Sequence, residues 1–440
     1  MTQSDALEIL KTGTNVFLTG PAGSGKTYLL NDYIAYCRTT GKAVAVTAST
    51  GIAATHLNGR TIHSWVGIGI HDALTKGELK KVTGNKKVRA RIRETNTLII
   101  DEISMLDAKR LDLIEEVCRK VRAIPLPFGG LQVIVSGDFF QLPPVAKRQD
   151  GTAPDFAFRA KVWQHGVFTV CYLEQQYRQL DRDYYAILNS IRHSGDLDDA
   201  KERLEKRLHA PITGVAKPTK LFSHNADVDT LNVRELAEIK GAEHAYTMRA
   251  NGNERYVEPL KRNCLAPEVL TLKVGALVMF VTNNFDEGYV NGTLGEVVGF
   301  APGTELPVVL TKNGLEITAT PATWAFEEDG KKLGEISQLP LRLAWAITIH
   351  KSQGMSLDCA EIDLGRAFTE GMGYVALSRV RTLEGITLTG FNRMALRVHE
   401  EISVYDKELR EFSKKTSREL AARQKDEIEK SQRTLLDGKE

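Results

Sequence analysis

Residues 15–27 read Asn15-Val-Phe-Leu-Thr-Gly20-Pro-Ala-Gly-Ser-Gly25-Lys26-Thr27. The segment 15–19 is a short apolar strand, and Tyr28 onward, through TYLLNDYIAYCRTTG to Gly41, reads as a helix. Between them Gly20, Pro21, Ala22, Gly23, Ser24, Gly25, Lys26 and Thr27 match the phosphate-loop pattern GxxxxGK[ST]. Glycines let the backbone wrap closely round phosphate oxygens, so that N–H groups and the helix N-terminus face the anion. Lys26 is then expected on the β- and γ-phosphates and Thr27 on Mg²⁺. Alone, the match would also fit a tight turn. The strand before it and the helix after it decide between the two.

Working outward, Ala43–Thr47 is a second buried strand, Thr97–Ile100 a third and Leu131–Ser136 a fourth. Apolar strands alternating with helices indicate a parallel α/β sheet. The third strand runs into Asp101 and Glu102. After a phosphate loop, that pair is expected to hold Mg²⁺ (Asp101) and to orient or deprotonate the attacking water (Glu102). The fourth runs into Gly137-Asp-Phe-Phe-Gln141-Leu-Pro143-Pro144-Val145, where Gln141 can sense a γ-phosphate and the two prolines make a stiff protrusion. Between the second and third strands, Lys76, Lys80, Lys81, Lys86, Lys87, Arg89, Arg91 and Arg93 face only Glu78 and Glu94. That stretch reads equally well as a solvated helix face and as a binding surface.

Farther on, 175–263 is mostly helical, with one strand near 220–223, and 272–339 alternates like a small antiparallel β module. Strand–loop–helix character returns after it, and residues 401–440 are helix formers with ten basic and ten acidic side chains. The fold class is therefore α/β: two P-loop-type domains with parallel sheets and a small antiparallel β-barrel, SH3-like, inserted in the second. The expected limits are 1–174 for the first domain, with a basic insertion at about 62–95, 175–265 and 340–440 for the second with its helical tail, and 266–339 for the insertion.

Composition narrows the function. The 440 residues carry 58 Lys+Arg against 56 Asp+Glu, which excludes a histone-like or an acidic disordered protein but not a local basic channel. No apolar run approaches the ~20 residues of a membrane span, and the first residues lack a signal pattern. Five scattered cysteines without CxxC spacing argue for a reducing compartment and against a zinc or disulfide framework.

The motifs TGPAGSGKT, TASTGIAATHLNGRTIHSW, LIIDEISMLD, SGDFFQLPPV, LEQQYRQ, LKVGALVMF, NGTLGEVV, AWAITIHKSQGMSLD and YVALSRVRTLEG occur in this order. Together they resemble the Pif family of DNA helicases, superfamily 1 class B, over about residues 3–391. The resemblance implies two RecA-like domains and several residue roles. Gln3 would read adenine, Gln141 would touch the γ-phosphate, and Gly354 would approach the nucleotide. Arg178 and Arg379 would be arginine fingers from the second domain, and Tyr28 would lie beside the nucleotide. The Pro143-Pro144 protrusion would be a candidate wedge. Ser49, Thr50, His63 and Ser64 on the first domain, and Thr348, His350, Lys351 and Ser352 on the second, would bind DNA backbone, for which hydroxyls, amides and a few cations are suited. Trp65 and Phe140 read either as base-stacking aromatics or as core.

The function implied is an ATP-dependent 5′-to-3′ DNA helicase, using ATP and Mg²⁺, that translocates on single-stranded DNA and unwinds tailed, forked or G-quadruplex-containing DNA. Two alternatives stay open: a DNA-stimulated translocase subunit that needs a partner to unwind, and a nucleotide-gated DNA-binding scaffold. The expected state is a monomer in solution that can self-associate on DNA, without membrane partners, in a bacterial or phage cytoplasm, with nucleus and mitochondrion kept as alternatives.

Overall fold

The computed structural model describes residues 1–437 except 58, 70, 72, 145–154, 180, 194, 213–217, 283, 285, 290, 312–313 and 329–330. The chain divides into two compact units. The first comprises Met1–Ser49, Gly59–Arg178 and Val398–Glu440, and the second Thr50–Asn58 and Gln179–Arg397.

The first unit is built on a six-stranded parallel sheet. Its strands are β1 (Val16–Thr19), β2 (Val44–Ala48), β3 (Arg60–Thr61), β4 (Thr97–Asp101), β5 (Gln132–Gly137) and β6 (Thr169–Tyr172), in the order β3-β2-β4-β5-β1-β6. All four strands expected from the sequence are present within a residue, and β3 and β6 are added at the two edges. Val16 pairs with Ile134 on one side and Thr169 on the other, so β1 lies inside the sheet. Leu98, Ile99 and Ile100 are fully buried, as a strand covered on both faces requires. Helices α1 (Gln3–Lys11) and α2 (Lys26–Thr39) flank β1 in sequence. Thr2 caps α1: its hydroxyl accepts from the Asp5 N–H, and the Asp5 carboxylate accepts from the Thr2 N–H.

The helix Glu400–Asp437, expected with the second domain, instead packs on the first unit beside β6. The Trp163 indole N–H donates to Tyr405 (2.8 Å), and the Tyr172 hydroxyl donates to Asp406 (2.7 Å). Arg410 Nε donates to the same carboxylate (2.8 Å), and Ser413 Oγ accepts from the Tyr172 N–H (3.0 Å). Ile402, Leu409, Asp406 and Ser413 are buried. The sequence shows a charged helix. The face that is buried, and what covers it, depend on residues some 240 positions away.

The second unit has a four-stranded parallel sheet in the spatial order Ala346–Thr348, Thr219–Phe222, Ala360–Leu364, Ile386–Phe391. Between its segments lies the β module, larger than 266–339. It also takes in strands His244–Thr247 and Arg249–Gly252, which the sequence had suggested were helical, and Leu341–Leu343. Five strands form one antiparallel sheet whose two edge strands, Glu316–Thr318 and Leu341–Leu343, are not paired with each other; three more form a second sheet. Among the described residues the hydrogen bonding does not close a barrel, so the SH3-like description is not established. Its core includes Leu272, Val278, Val297 and Val309, with Phe280 and Tyr289 stacked at 4.0 Å.

Candidate nucleotide and DNA sites

The phosphate loop sits between β1 and α2. Gly20, Gly23 and Gly25 all have positive φ, at 144°, 86° and 84°. At Gly25 a Cβ would stand 2.0 Å from Gln3 Nε2, so only glycine admits both the loop and the glutamine. Gln3 Nε2 donates to the carbonyls of Ser24 (3.4 Å) and Gly25 (3.3 Å), and α1 thereby delivers Gln3 to the loop. Lys26 Nζ donates to the carbonyls of Gly20 (2.8 Å) and Pro21 (3.0 Å). Pro21, Ala22 and Ser24 are buried, while Thr27 and Tyr28 open the helix on its exposed side. Ser24 Oγ is buried without a hydrogen-bond partner, as is Gln141 Oε1 after β5. A buried, unmatched polar atom is unfavourable by about 1–3 kcal/mol unless a ligand matches it.

Asp101 ends β4 almost fully buried. Burial pushes its carboxyl above the usual range, opposed by the Glu102 N–H and by the charge of Lys26. Glu102 has φ 52° and ψ 48°, the left-handed region that a residue with a side chain seldom adopts. The turn is held from β2: the Ser49 N–H donates to the Asp101 carbonyl (3.1 Å), and Ser49 Oγ donates to the Glu102 carbonyl (2.7 Å).

Arg178 is the last residue of the first unit and not, as expected, part of the second. The segment before it is tied to the phosphate loop: Gln176 Nε2 donates to the Ala22 carbonyl (2.7 Å) and the Tyr177 N–H to the Gly23 carbonyl (3.0 Å). Gln176 Oε1 also accepts from the Arg178 N–H (3.1 Å).

In the second unit, Arg379 is buried and held by neutral acceptors. Its Nε donates to the Val375 carbonyl (2.9 Å) and its two Nη to Ser378 Oγ (2.9 Å) and the Met355 carbonyl (3.5 Å). Gln179 braces the same loop, donating from Nε2 to the carbonyls of Ser378 (2.9 Å) and Val380 (3.2 Å) on either side of Arg379. Gly354 is exposed with φ 77°.

The residues expected on DNA divide into two kinds. Ser49, Thr348 and Ser352 are buried and shape turns: Thr348 Oγ1 accepts from the Lys351 N–H (3.4 Å), and Ser352 Oγ donates to the Ile349 carbonyl (2.8 Å). Thr50 Oγ1 accepts from the Ala53 N–H (3.2 Å) at the start of a helix, and the contact pattern places Thr50 in the second unit, not the first. His63, Ser64, His350 and Lys351 are half-buried. Trp65 and Phe140 belong to the core. So do Pro143 and Pro144, which are buried and do not protrude; Val145 lies outside the described residues.

An exposed ring absent from the sequence expectation stands at this second set. Phe368 is 54% exposed, with its centroid 5.2 Å from that of His224 and 6.1 Å from that of His350. Burial, and then His224, pulls His350 below the ordinary histidine range, while burial and the neighbouring Arg342 lower Lys351. Only an isolated Phe in GRAFTEG marked this position, and a single aromatic has no period to read.

A family profile described as PIF1-like helicase matches residues 4–192, and one described as DNA helicase Pif1, 2B domain matches 255–300. The chain is 43% identical to the ATP-dependent DNA helicase Pif1 of Psychrobacter sp., covering 90% of this chain and 69% of that protein. It is 39% identical to human ATP-dependent DNA helicase PIF1, covering 90% of this chain and 61% of the human one. Among solved structures it is similar to Bacteroides sp Pif1 in complex with ADP-AlF4, with TM-score 0.80 and 32% identity over 93% of this chain and 96% of that one. It is also similar to Bacteroides Pif1 bound to ssDNA, with TM-score 0.65 and 33% identity over 92% and 95%.

Proposed function

The chain belongs to the PIF1-like helicase family of ATP-dependent DNA helicases, and we propose that it hydrolyses ATP to move 5′-to-3′ along single-stranded DNA and to separate tailed or forked duplexes. The observation that carries the proposal is the pairing of a glycine-wrapped Lys26 with a buried Asp101 on which its charge acts, at the carboxyl ends of β1 and β4, the two parallel strands on either side of β5.

The donor set fits a hard divalent cation, since Thr27 offers a hydroxyl and Asp101 a carboxylate whose buried charge favours a cation. Thr27 and Asp101 would hold Mg²⁺, which would supply charge neutralisation to the nucleotide phosphates. Lys26 holds those phosphates, and Glu102, fixed by Ser49, orients the attacking water. Gln3 reads the base and Gln141 the γ-phosphate. Arg178 and Arg379 supply planar, permanent positive charge to the transferred phosphoryl group. His63, Ser64, His350 and Lys351 hold strand phosphates, and Phe368 offers a ring on which a base can stack.

The test is strand separation on two partial duplexes, one with a 5′ single-stranded tail and one with a 3′ tail, with Lys26→Ala as control. Unwinding from the 5′ tail alone, lost in the variant, is expected. Unwinding from the 3′ tail alone overturns the polarity. DNA-stimulated hydrolysis without unwinding on either would favour a translocase that needs a partner.

A further inference from the structure

The basic stretch noted in the sequence folds as two short helices, Lys76–Gly84 and Lys86–Glu94, packed on the first unit. Leu79, Val88 and Ile92 form the buried side. The structure separates its cations into two groups. Arg91 donates to the Ser64 carbonyl (3.2 Å) and Arg93 Nε to the Val121 carbonyl (3.1 Å), so these two anchor the pair. Lys76, Lys80, Lys81, Lys86 and Arg89 are exposed, and among the described residues none of them makes a salt bridge. Glu78, the acid nearest them in sequence, is engaged as a helix cap: its carboxylate accepts from the Thr75 N–H (2.9 Å), which holds it below the usual carboxylate range.

Five clustered, exposed cations call for a polyanion. The type of polyanion follows from what the pair lacks. Surfaces for single strands combine cations with rings on which bases stack. Residues 73–95 contain no Phe, Tyr or Trp. The cations stand on helices, where positions 76 and 80, or 86 and 89, share a face about one turn apart. Such a surface reads phosphates alone and is indifferent to base sequence.

We propose that the 76–94 helical pair is a binding surface for the phosphate backbone of duplex DNA, separate from the residues that hold the single strand. The proposal rests on the helicase reading above. The surface would grip the unopened duplex and let go of it as salt rises.

The experiment compares the wild-type chain with Lys80→Glu/Lys86→Glu/Arg89→Glu and with Lys80→Gln/Lys86→Gln/Arg89→Gln. All three positions are exposed, and far-ultraviolet circular dichroism and melting check folding. Fluorescence anisotropy across a potassium chloride series measures binding to a blunt duplex and to oligothymidine. Both variants should lose duplex affinity, roughly tenfold or more at low salt. The slope of log K against log salt should become shallower by about 2 to 3 for the three cations removed, at roughly 0.9 per contact. Oligothymidine binding and oligothymidine-stimulated ATP hydrolysis should stay within about twofold. Unchanged duplex affinity and slope would overturn the proposal, and so would an equal loss on oligothymidine, which would place the pair on the single-strand path. A wild-type chain without DNA-stimulated hydrolysis would defeat the helicase reading instead, and the duplex comparison would still decide the surface.

Discussion

The Ser49 hydroxyl donates to the Glu102 carbonyl at 2.7 Å, joining the end of β2 to the residue expected to direct the attacking water. Glu102 occupies a left-handed conformation that its own side chain disfavours, so something outside the turn must hold it. Ser49→Ala should lower kcat for DNA-stimulated ATP hydrolysis by on the order of tenfold, a loss of the size expected when a general base is mispositioned. KM for ATP and affinity for single-stranded DNA should hardly change. Steady-state kinetics beside anisotropy separate this from a direct phosphate contact, which would weaken DNA binding instead.

Asp101 exchanges stability for function. Its folded-state pKa is raised, so the stability linked to it is fully present below the unfolded carboxyl value and is lost as pH rises through the folded one. In its charged form the group is therefore a burden on the free protein. Asp101→Asn should melt a few degrees higher than wild type without nucleotide, while hydrolysis falls to background. Adding Mg²⁺ with a non-hydrolysable ATP analogue should raise the melting point of wild type more than that of the variant. A variant that melts lower would contradict the burial argument.

Gln179 touches the loop on both sides of Arg379 and should act through it. Gln179→Ala is expected to reduce kcat roughly fivefold to tenfold, as displacing a positioned group does. Arg379→Lys should be nearly inactive, since an ammonium cannot reproduce the guanidinium fork. In the double variant the Gln179 effect should vanish. Additive losses would mean that Gln179 acts elsewhere.

His350 lies below the ordinary 6.5 of a histidine. Because the folded value is depressed, its stability contribution is present above 6.5 and lost as pH falls through the folded value. Strand phosphates favour the protonated form. Affinity for oligothymidine should therefore rise as pH drops below the ordinary histidine range, even as the free protein melts lower. His350→Gln should flatten the binding profile. An unchanged profile would remove His350 from the DNA path.

What the sequence discloses here is local. The phosphate loop, Asp101 and Glu102 are legible because spacing and flanking apolar strands define them within a few residues. The strands 244–247 and 249–252 escaped because each is only four residues long; the first alternates merely between half-buried and exposed positions, and the second is exposed throughout. Ser49, Thr348 and Ser352 look like backbone-binding hydroxyls, yet Ser49 and Ser352 donate to the carbonyls of Glu102 and Ile349, and Thr348 accepts from the Lys351 N–H. A hydroxyl carries no sign in the sequence of what it will meet. The two classes within the basic stretch were equally hidden, since Arg91 and Arg93 are distinguished from their neighbours only by carbonyls at 64 and 121.

The C-terminal helix gives the chain an unusual order of assembly. The first unit lacks the helix that covers β6 until the segment after Val398, on the far side of the second unit in sequence, is made. On a ribosome, the residues of the second unit emerge and can compact while the first still has β6 and Tyr172 uncovered. The first unit is thus completed only after the second. Ribosome-release assays should find Tyr172 and Trp163 accessible to solvent quenchers until the segment 398–413 clears the exit tunnel.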